Sequence, residues 1–219
     1  DPGQYLPIAD TGIVRQWTFS PEVAGTERFL RDICQRGIVP SIGHSAASPE
    51  QVAHAAENGA RIVTHLFDAT GTSVSPTRYD GTIEPSFDCG ALICDNLYYE
   101  IICDKGGVHV RPELLRLAVK AVGVDRIVGI TDACTGDIDD NADVNFVNGE
   151  LMGSKLTMDA AARNFYALGF SVPEVFRITS LNPAKAIGAE KERGSVAVGK
   201  RADLLVLDQK LNLKKVYQA

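Results

Sequence analysis

Short runs of apolar and β-branched residues alternate along the chain with stretches whose apolar positions recur at helical spacing. The runs are Val14–Phe19, Ile38–Ile42, Arg61–Leu66, Tyr98–Cys103 and Arg126–Ile130, each of strand length. Between them, Thr26–Arg36 sets Phe29, Leu30 and Ile33 on one face. Pro112–Val122 aligns Leu114, Leu117, Ala118, Ala121 and Val122 on one stripe. Two helix starts are written in local chemistry. Ser48-Pro49-Glu50-Gln51 places an N-cap serine before a proline at the first helical position, with a glutamine able to reach back; Ser171-Val172-Pro173-Glu174 repeats the spacing. Strands alternating with helices predict an α/β fold with a parallel sheet covered by helices. Five such units suit an open doubly wound sheet or part of an eight-fold barrel, and periodicity does not choose between them.

Two segments break the alternation. Val144–Lys155 holds Asn148-Gly149 between short β-prone runs, the signal of a two-residue hairpin turn. From Gly194 onward the tail reads turn, strand, turn, strand, a small β-rich appendage. The expected division is an α/β catalytic region over 1–190 and a β-strand tail over 191–219.

Composition narrows the class. With 45% hydrophobic and 23% charged residues the chain is globular rather than disordered. A net charge of −6, without a Lys/Arg cluster, argues against nucleic acid or an anionic membrane surface as partner. Gly, Asp or His interrupts every longer apolar run, so no segment is expected to span a bilayer. Asp1-Pro2-Gly3-Gln4 carries neither a basic nor an apolar leader region. The cysteines number five and form no C-x-x-C pair, which fits reduced thiols and a cytoplasmic protein.

The chemistry lies where polar residues interrupt the strand–helix units. Glu22 follows the first run, His44 closes the second, His65 stands near the end of the third, Asp104 and His109 follow the fourth, and Asp132 follows the fifth. In a parallel sheet all strand C-termini lie on one side, so these groups are expected to converge. A lone histidine at a strand end is ordinarily structural and a lone aspartate ordinarily a helix cap. Recurrence from one strand end to the next favours a site instead. A carboxylate with two imidazoles suits a divalent ion such as zinc, with a coordination position left for water. His54 falls inside a helix and takes no role.

The motifs Ser20-Pro21-Glu22, Gly43-His44-Ser45, Thr64-His65-Leu66-Phe67, Val108-His109-Val110, Thr131-Asp132-Ala133 and Gly153-Ser154-Lys155-Leu156-Thr157-Met158 stand in the order of the N-acetylglucosamine-6-phosphate deacetylases, which this chain resembles over nearly its whole length. Asn182-Pro183-Ala184 and Gly199-Lys200-Arg201-Ala202-Asp203-Leu204 resemble the C-terminal signature of the wider amidohydrolases. The resemblance implies the C-terminal portion of a metal-dependent (β/α)8 TIM-like barrel, with the tail belonging to a small β-sandwich. It implies Glu22, His44 and His65 as ligands of zinc, with iron as the alternative, and Asp132 as the general acid/base. His109 is similar to a substrate-contacting histidine. Arg78 is similar to an arginine that binds phosphate across a dimer interface, which makes a homodimer an expectation. The backbone of Asp68 and Ala69 and the loop at Met152 and Gly153 would line the sugar pocket. The implied reaction is hydrolysis of the N-acetyl amide of an N-acetylhexosamine 6-phosphate to acetate and an amino-sugar phosphate.

The chain also departs from that pattern. It begins after the family's leading strands, so it is expected to be a fragment of a longer protein. Asp68 stands where the family usually has Asn, the link from Asp104 to His109 is longer than usual, and Asp132–Asn148 is shorter and more acidic. These changes surround the expected substrate end and keep three alternatives open: an N-acetylgalactosamine-6-phosphate deacetylase, another amidohydrolase, and an inactive fragment. Asp137–Asn148 lacks the turn glycine and twelfth-position glutamate of a calcium loop. Cys134 has no histidine beside it in sequence and reads as a packed thiol.

Overall fold

The computed structural model describes residues 1–70, 79–135 and 143–219. Within them the chain forms two compact units, Asp1–Tyr99 and Glu100–Ala219. The principal strands are β1 (Gln16–Phe19), β2 (Val39–Ile42), β3 (Ile62–Val63), β4 (Tyr98–Ile102) and β5 (Ile127–Ile130), ordered β1-β2-β3-β4-β5 in one sheet. Registers run parallel, with Gln16 opposite Val39, Ser41 opposite Ile62 and Ile62 opposite Tyr98. Parallel strands are covered on both faces, which is why β2, β4 and β5 are buried over most of their length.

Helices fall where the spacing predicts them. The first unit holds α1 (Pro2–Ala9), α2 (Thr26–Gln35), α3 (Pro49–Glu57) and α4 (Phe87–Leu92). Ser48 caps α3 in a complete capping box with Gln51. Leu30 and Ile33 of α2 are buried, and Ile33 joins Ala9 and Ile38 in a core edged by Val14, Trp17 and Phe29. The second unit holds α5 (Pro112–Val122), α6 (Met158–Ala167), α7 (Val172–Phe176) and α8 (Asn182–Ala186), with a π-helical turn over Arg177–Leu181. Glu174 accepts from the Ser171 amide at 2.8 Å, as the capping spacing predicts. Asn182, fully buried, donates through Nδ2 to the carbonyls of Val124 (2.9 Å) and Ile127 (2.7 Å). The Asn-Pro-Ala motif therefore ties the start of α8 to the entry of β5.

The hairpin is present as β6 (Val144–Val147) and β7 (Glu150–Ser154). Asn148 at φ 53° and Gly149 at φ 83° make the turn that matches strand twist. The tail forms a second antiparallel pair, β8 (Leu204–Leu207) and β9 (Leu213–Tyr217).

Three details differ from the sequence pattern. The face that α5 buries is Leu115, Ala118 and Val122, while Leu117 is 51% exposed. Pro112–Val122 carries two overlapping apolar stripes, and packing chooses between them. The third run forms only a two-residue strand, because the chain turns into left-handed backbone from His65. Ser195–Val198 stays outside any strand, with Val196 86% exposed.

Candidate functional site

Three of the expected site residues follow strands with a backbone that L-residues avoid. His44 after β2 has φ 49°, His65 after β3 φ 30° and Asp132 after β5 φ 47°. Non-glycine residues in this region are disfavoured by on the order of 1–3 kcal/mol, and such strain concentrates at functional sites.

In the first unit, β2 and β3 approach so closely that a Cβ on Gly43 would lie 2.6 Å from the Thr64 Cβ. That contact leaves room only for glycine and sets the next residues of the two strand ends side by side. His44 Nε2 and His65 Nε2 stand 2.9 Å apart, with ring planes at 82°. His65 is buried, and its Nδ1 lies 3.0 Å from the Asp68 carbonyl. A carbonyl only accepts, so Nδ1 is the donor and the ring's Nε2 is the atom that faces His44. This is the arrangement by which metal-binding histidines are oriented. The Glu22 carboxylate accepts from Ser45 Oγ at 2.6 Å and from the Ala46 amide at 2.9 Å, on the residues that follow His44. Among the described residues it does not share ligand reach with both imidazoles. Burial works to raise the Glu22 pKa, but the bonds from Ser45 and Ala46 outweigh it and lower the value.

The two imidazoles suit a divalent ion. Two imidazole nitrogens each bound at ~2.0–2.1 Å to one tetrahedral ion lie roughly 3.3 Å apart, a few tenths of an ångström beyond the 2.9 Å found between His44 and His65. Asp68 and Ala69 continue the same loop, with Phe67 at φ 70° and Ala69 at φ 47°. Asp88 on α4 spans this loop, its Oδ1 accepting from the Phe67 amide at 3.0 Å and its Oδ2 from Thr70 Oγ1 at 2.9 Å. Sequence reasoning missed Asp88, since nothing in its own segment marks it.

In the second unit, Asp132 is exposed and its backbone is stitched to the end of β7. Ser154 N donates to the Asp132 carbonyl (2.8 Å) and Cys134 N to the Ser154 carbonyl (3.1 Å). The Ser154 hydroxyl donates to the Thr131 carbonyl. Gly153, at φ 55°, is pressed against this junction: a Cβ there would lie 2.5 Å from the Asp132 carbonyl oxygen. Met152 is half exposed beside it. The Cys134 thiol donates to the Met152 carbonyl at 2.9 Å and receives Asn145 Nδ2 at 3.2 Å, but the residue is exposed rather than packed in a core as its sequence context suggested.

The His109 side chain is fully buried. Its Nδ1 lies 3.2 Å from Asp104 Oδ2 and its Nε2 3.0 Å from the Gly153 carbonyl. Asp104 also accepts from the amides of Val108 and His109. Burial opposes its ionisation, but the His109 ring and these amides prevail and hold its carboxyl down at about 2. Arg78, the expected phosphate ligand, lies outside the described residues.

A parallel α/β sheet with histidines on successive strand ends is the architecture of a TIM-barrel-type fold, and the comparisons agree. The amidohydrolase family model matches residues 16–219, and the chain belongs to the amidohydrolase family. It is 32% identical over 224 residues to the N-acetylglucosamine-6-phosphate deacetylase of Danio rerio, covering 92% of this chain and 53% of that protein. It is 30% identical over 220 residues to the N-acetylgalactosamine-6-phosphate deacetylase of Escherichia coli O157:H7, covering 93% and 55%. A mutant of the Mycobacterium smegmatis N-acetyl-D-glucosamine-6-phosphate deacetylase, solved in complex with N-acetyl-D-glucosamine-6-phosphate, superposes with a TM-score of 0.86 at 30% identity, covering 100% of this chain and 60% of that one. The chain spans about half the length of the curated relatives it matches. Among the described residues no helix is long and apolar enough to cross a membrane.

Proposed function

We propose that this chain carries the metal-binding and catalytic residues of a deacetylase that hydrolyses the N-acetyl amide of an N-acetylhexosamine 6-phosphate, N-acetylglucosamine 6-phosphate foremost. The observation that carries the reading is the 2.9 Å approach of His44 Nε2 and His65 Nε2, with Glu22 held on the residues that follow His44. Relatives named for this activity support it. Glu22, His44 and His65 hold a divalent cation, zinc foremost and iron as the alternative. When bound, such an ion acidifies water to a pKa near ~7 and polarises a carbonyl.

Asp132 takes the proton from the attacking water and returns it to the nitrogen as the amide breaks, because an amine anion does not leave. Acetate and the amino-sugar phosphate are the products. Met152, Gly153 and the backbone at Asp68 and Ala69 line the sugar, with Arg78 at the phosphate end. His109, expected to contact substrate, has its ring buried between Asp104 and the Gly153 carbonyl and so supports the Gly153 loop instead. Arg78 acts across a homodimer interface in this reading. Residues 191–219 belong to a small β-sandwich that accompanies the partial barrel over 1–190. Five free cysteines suit a cytoplasmic location.

N-acetylgalactosamine 6-phosphate is the second substrate reading, favoured by the similarity to the Escherichia coli enzyme of that name. The test begins with metal content per chain by elemental analysis of protein purified without added metal. Acetate release is then assayed on N-acetylglucosamine 6-phosphate, N-acetylgalactosamine 6-phosphate and N-acetylglucosamine. Near one equivalent of metal, lost in His44→Ala, with turnover of a phosphorylated sugar, is the expected result. Absence of uptake on titration together with absence of turnover would mean that the chain keeps the residues of the site without assembling it.

A further inference from the structure

His65, Phe67 and Ala69 are alternate residues in left-handed backbone, at φ 30°, 70° and 47°, and none is glycine. An L side chain disfavours each of these conformations, so a run of three persists only where surrounding structure over-determines it. The local bonds are few. Asp68 N donates to the His65 carbonyl at 2.9 Å, and the His65 ring donates back to the Asp68 carbonyl. The restraint from farther along the chain is Asp88. Its two oxygens take the Phe67 amide and the Thr70 hydroxyl, one donor on each side of Asp68 and Ala69.

Asp88 stands on a fixed support. It is the second residue of α4, whose N-cap Ser86 accepts from the Cys89 amide. Two residues on, a Cβ at Gly90 would lie 2.5 Å from the Pro49 Cα, so α4 sits directly against the start of α3. Burial raises the Asp88 pKa, against the bonds from Phe67 and Thr70. A carboxyl kept in so unfavourable a place is matched by what it holds.

We propose that Asp88 is a positioning residue for the ligand loop: by clamping Phe67 and Thr70 it keeps the Asp68 carbonyl under the His65 ring, and so sets the tautomer and aim of His65. The inference rests on the reading of His65 as a metal ligand and adds a residue that neither touches the ion nor the substrate. The relevant chemistry is an acceptor for the Phe67 amide and, at the carboxylate spacing, a second polar atom that pairs with the Thr70 hydroxyl. Asparagine keeps it, since its oxygen accepts from the amide and its NH2 donates to the hydroxyl, which also accepts. Alanine abolishes it. Thr70→Val removes one of the two bonds and leaves Asp88 in place.

Two readouts test this on the full chain. The first is the His65 tautomer by 15N NMR of the metal-free protein, and the second is zinc affinity by competition titration. Wild type holds the Nδ1–H form. Asp88→Ala is expected to mix the tautomers and weaken zinc binding on the order of 10–100-fold. Asp88→Asn should restore both to within about threefold of wild type, and Thr70→Val should fall between them. The proposal is overturned if Asp88→Ala keeps the wild-type tautomer and affinity, or if Asp88→Asn is no better than Asp88→Ala. Should the alanine variant fail to fold, the asparagine and valine variants decide by the same readouts: equal behaviour of the two would sink the clamp. A wild type that takes up no zinc contradicts the deacetylase reading, whereas the tautomer series judges Asp88 without any metal.

Discussion

The loop after β3 and the junction between β5 and β7 solve one problem in different ways. Both present a site residue from left-handed backbone, His65 in the first and Asp132 in the second. In the first, side chains do the holding: Asp88 takes Phe67 and Thr70, and Ser45 takes Glu22 close by. In the second, main chain holds main chain, through Ser154 N to the Asp132 carbonyl and Cys134 N to the Ser154 carbonyl, with Gly153 pressed between. A loop held by side chains is adjustable by single substitutions that leave the fold intact. A junction held chiefly by backbone, with the Ser154 hydroxyl on the Thr131 carbonyl as a supplement, is most vulnerable where a side chain is added.

The sharpest way to break that contrast is Gly153→Ala. The new methyl would sit 2.5 Å from the Asp132 carbonyl oxygen at φ 55°. A loss of roughly 2–4 kcal/mol in unfolding free energy is expected from strain plus overpacking, with the proposed deacetylation falling in parallel. Denaturant melts and acetate release measure both, and a fully stable, active variant would show that the junction yields.

Ser45→Ala is the matching probe of the first region and should act more gently. It removes the 2.6 Å bond to Glu22 Oε2. Metal affinity is expected to fall on the order of tenfold, with unfolding free energy changed by about 1 kcal/mol or less. Competition titration beside a denaturant melt separates the two effects, and equal losses in both would erase the distinction between the regions.

The smallest effect is in the acid response, where Asp88 of the first region and Asp104, joined to the second through His109 and the Gly153 carbonyl, have opposite signs. Asp104 has a folded pKa of about 2, below the ~3.9 of a free aspartate. Its contribution is therefore complete above pH ~4 and is lost as pH falls through about 2. Asp88 has a folded pKa raised by burial. Its contribution is complete below the free value and is lost as pH rises through the raised one. Asp104→Asn should accordingly flatten the acid loss of stability, and Asp88→Asn should hold or raise stability at neutral pH. Melts from pH 7 to pH 2 read both, and identical profiles for the two variants would contradict the assigned directions.

Legibility in the sequence follows the range of the interaction. The capping boxes at Ser48 and Ser171, the Asn148-Gly149 turn and the strand cores are local signals, and each stands in the structure within a residue or two except the third strand, which ends three residues early at Val63. His44 and His65 were readable because their strands are neighbours in sequence order and parallel. The buried face of α5 was misread because Leu114 and Leu115 serve equally well in the pattern, and only packing against β5 and its surroundings selects Leu115. Asp88 was invisible because its partners lie 21 and 18 residues earlier and no periodicity links them.

By itself the sequence determined the α/β alternation, the helix starts, the hairpin turn and the family to which the chain belongs. These depend on backbone preferences and on side chains a few residues apart, which any stretch of chain carries with it. The tertiary structure alone decided the 2.9 Å meeting of His44 and His65, the tautomer that Asp68 gives to His65, the clamp of Asp88 and the burial of His109 between Asp104 and Gly153. Each of these depends on strand register and close packing, and distances of that kind exist only once segments far apart in the chain have been brought together.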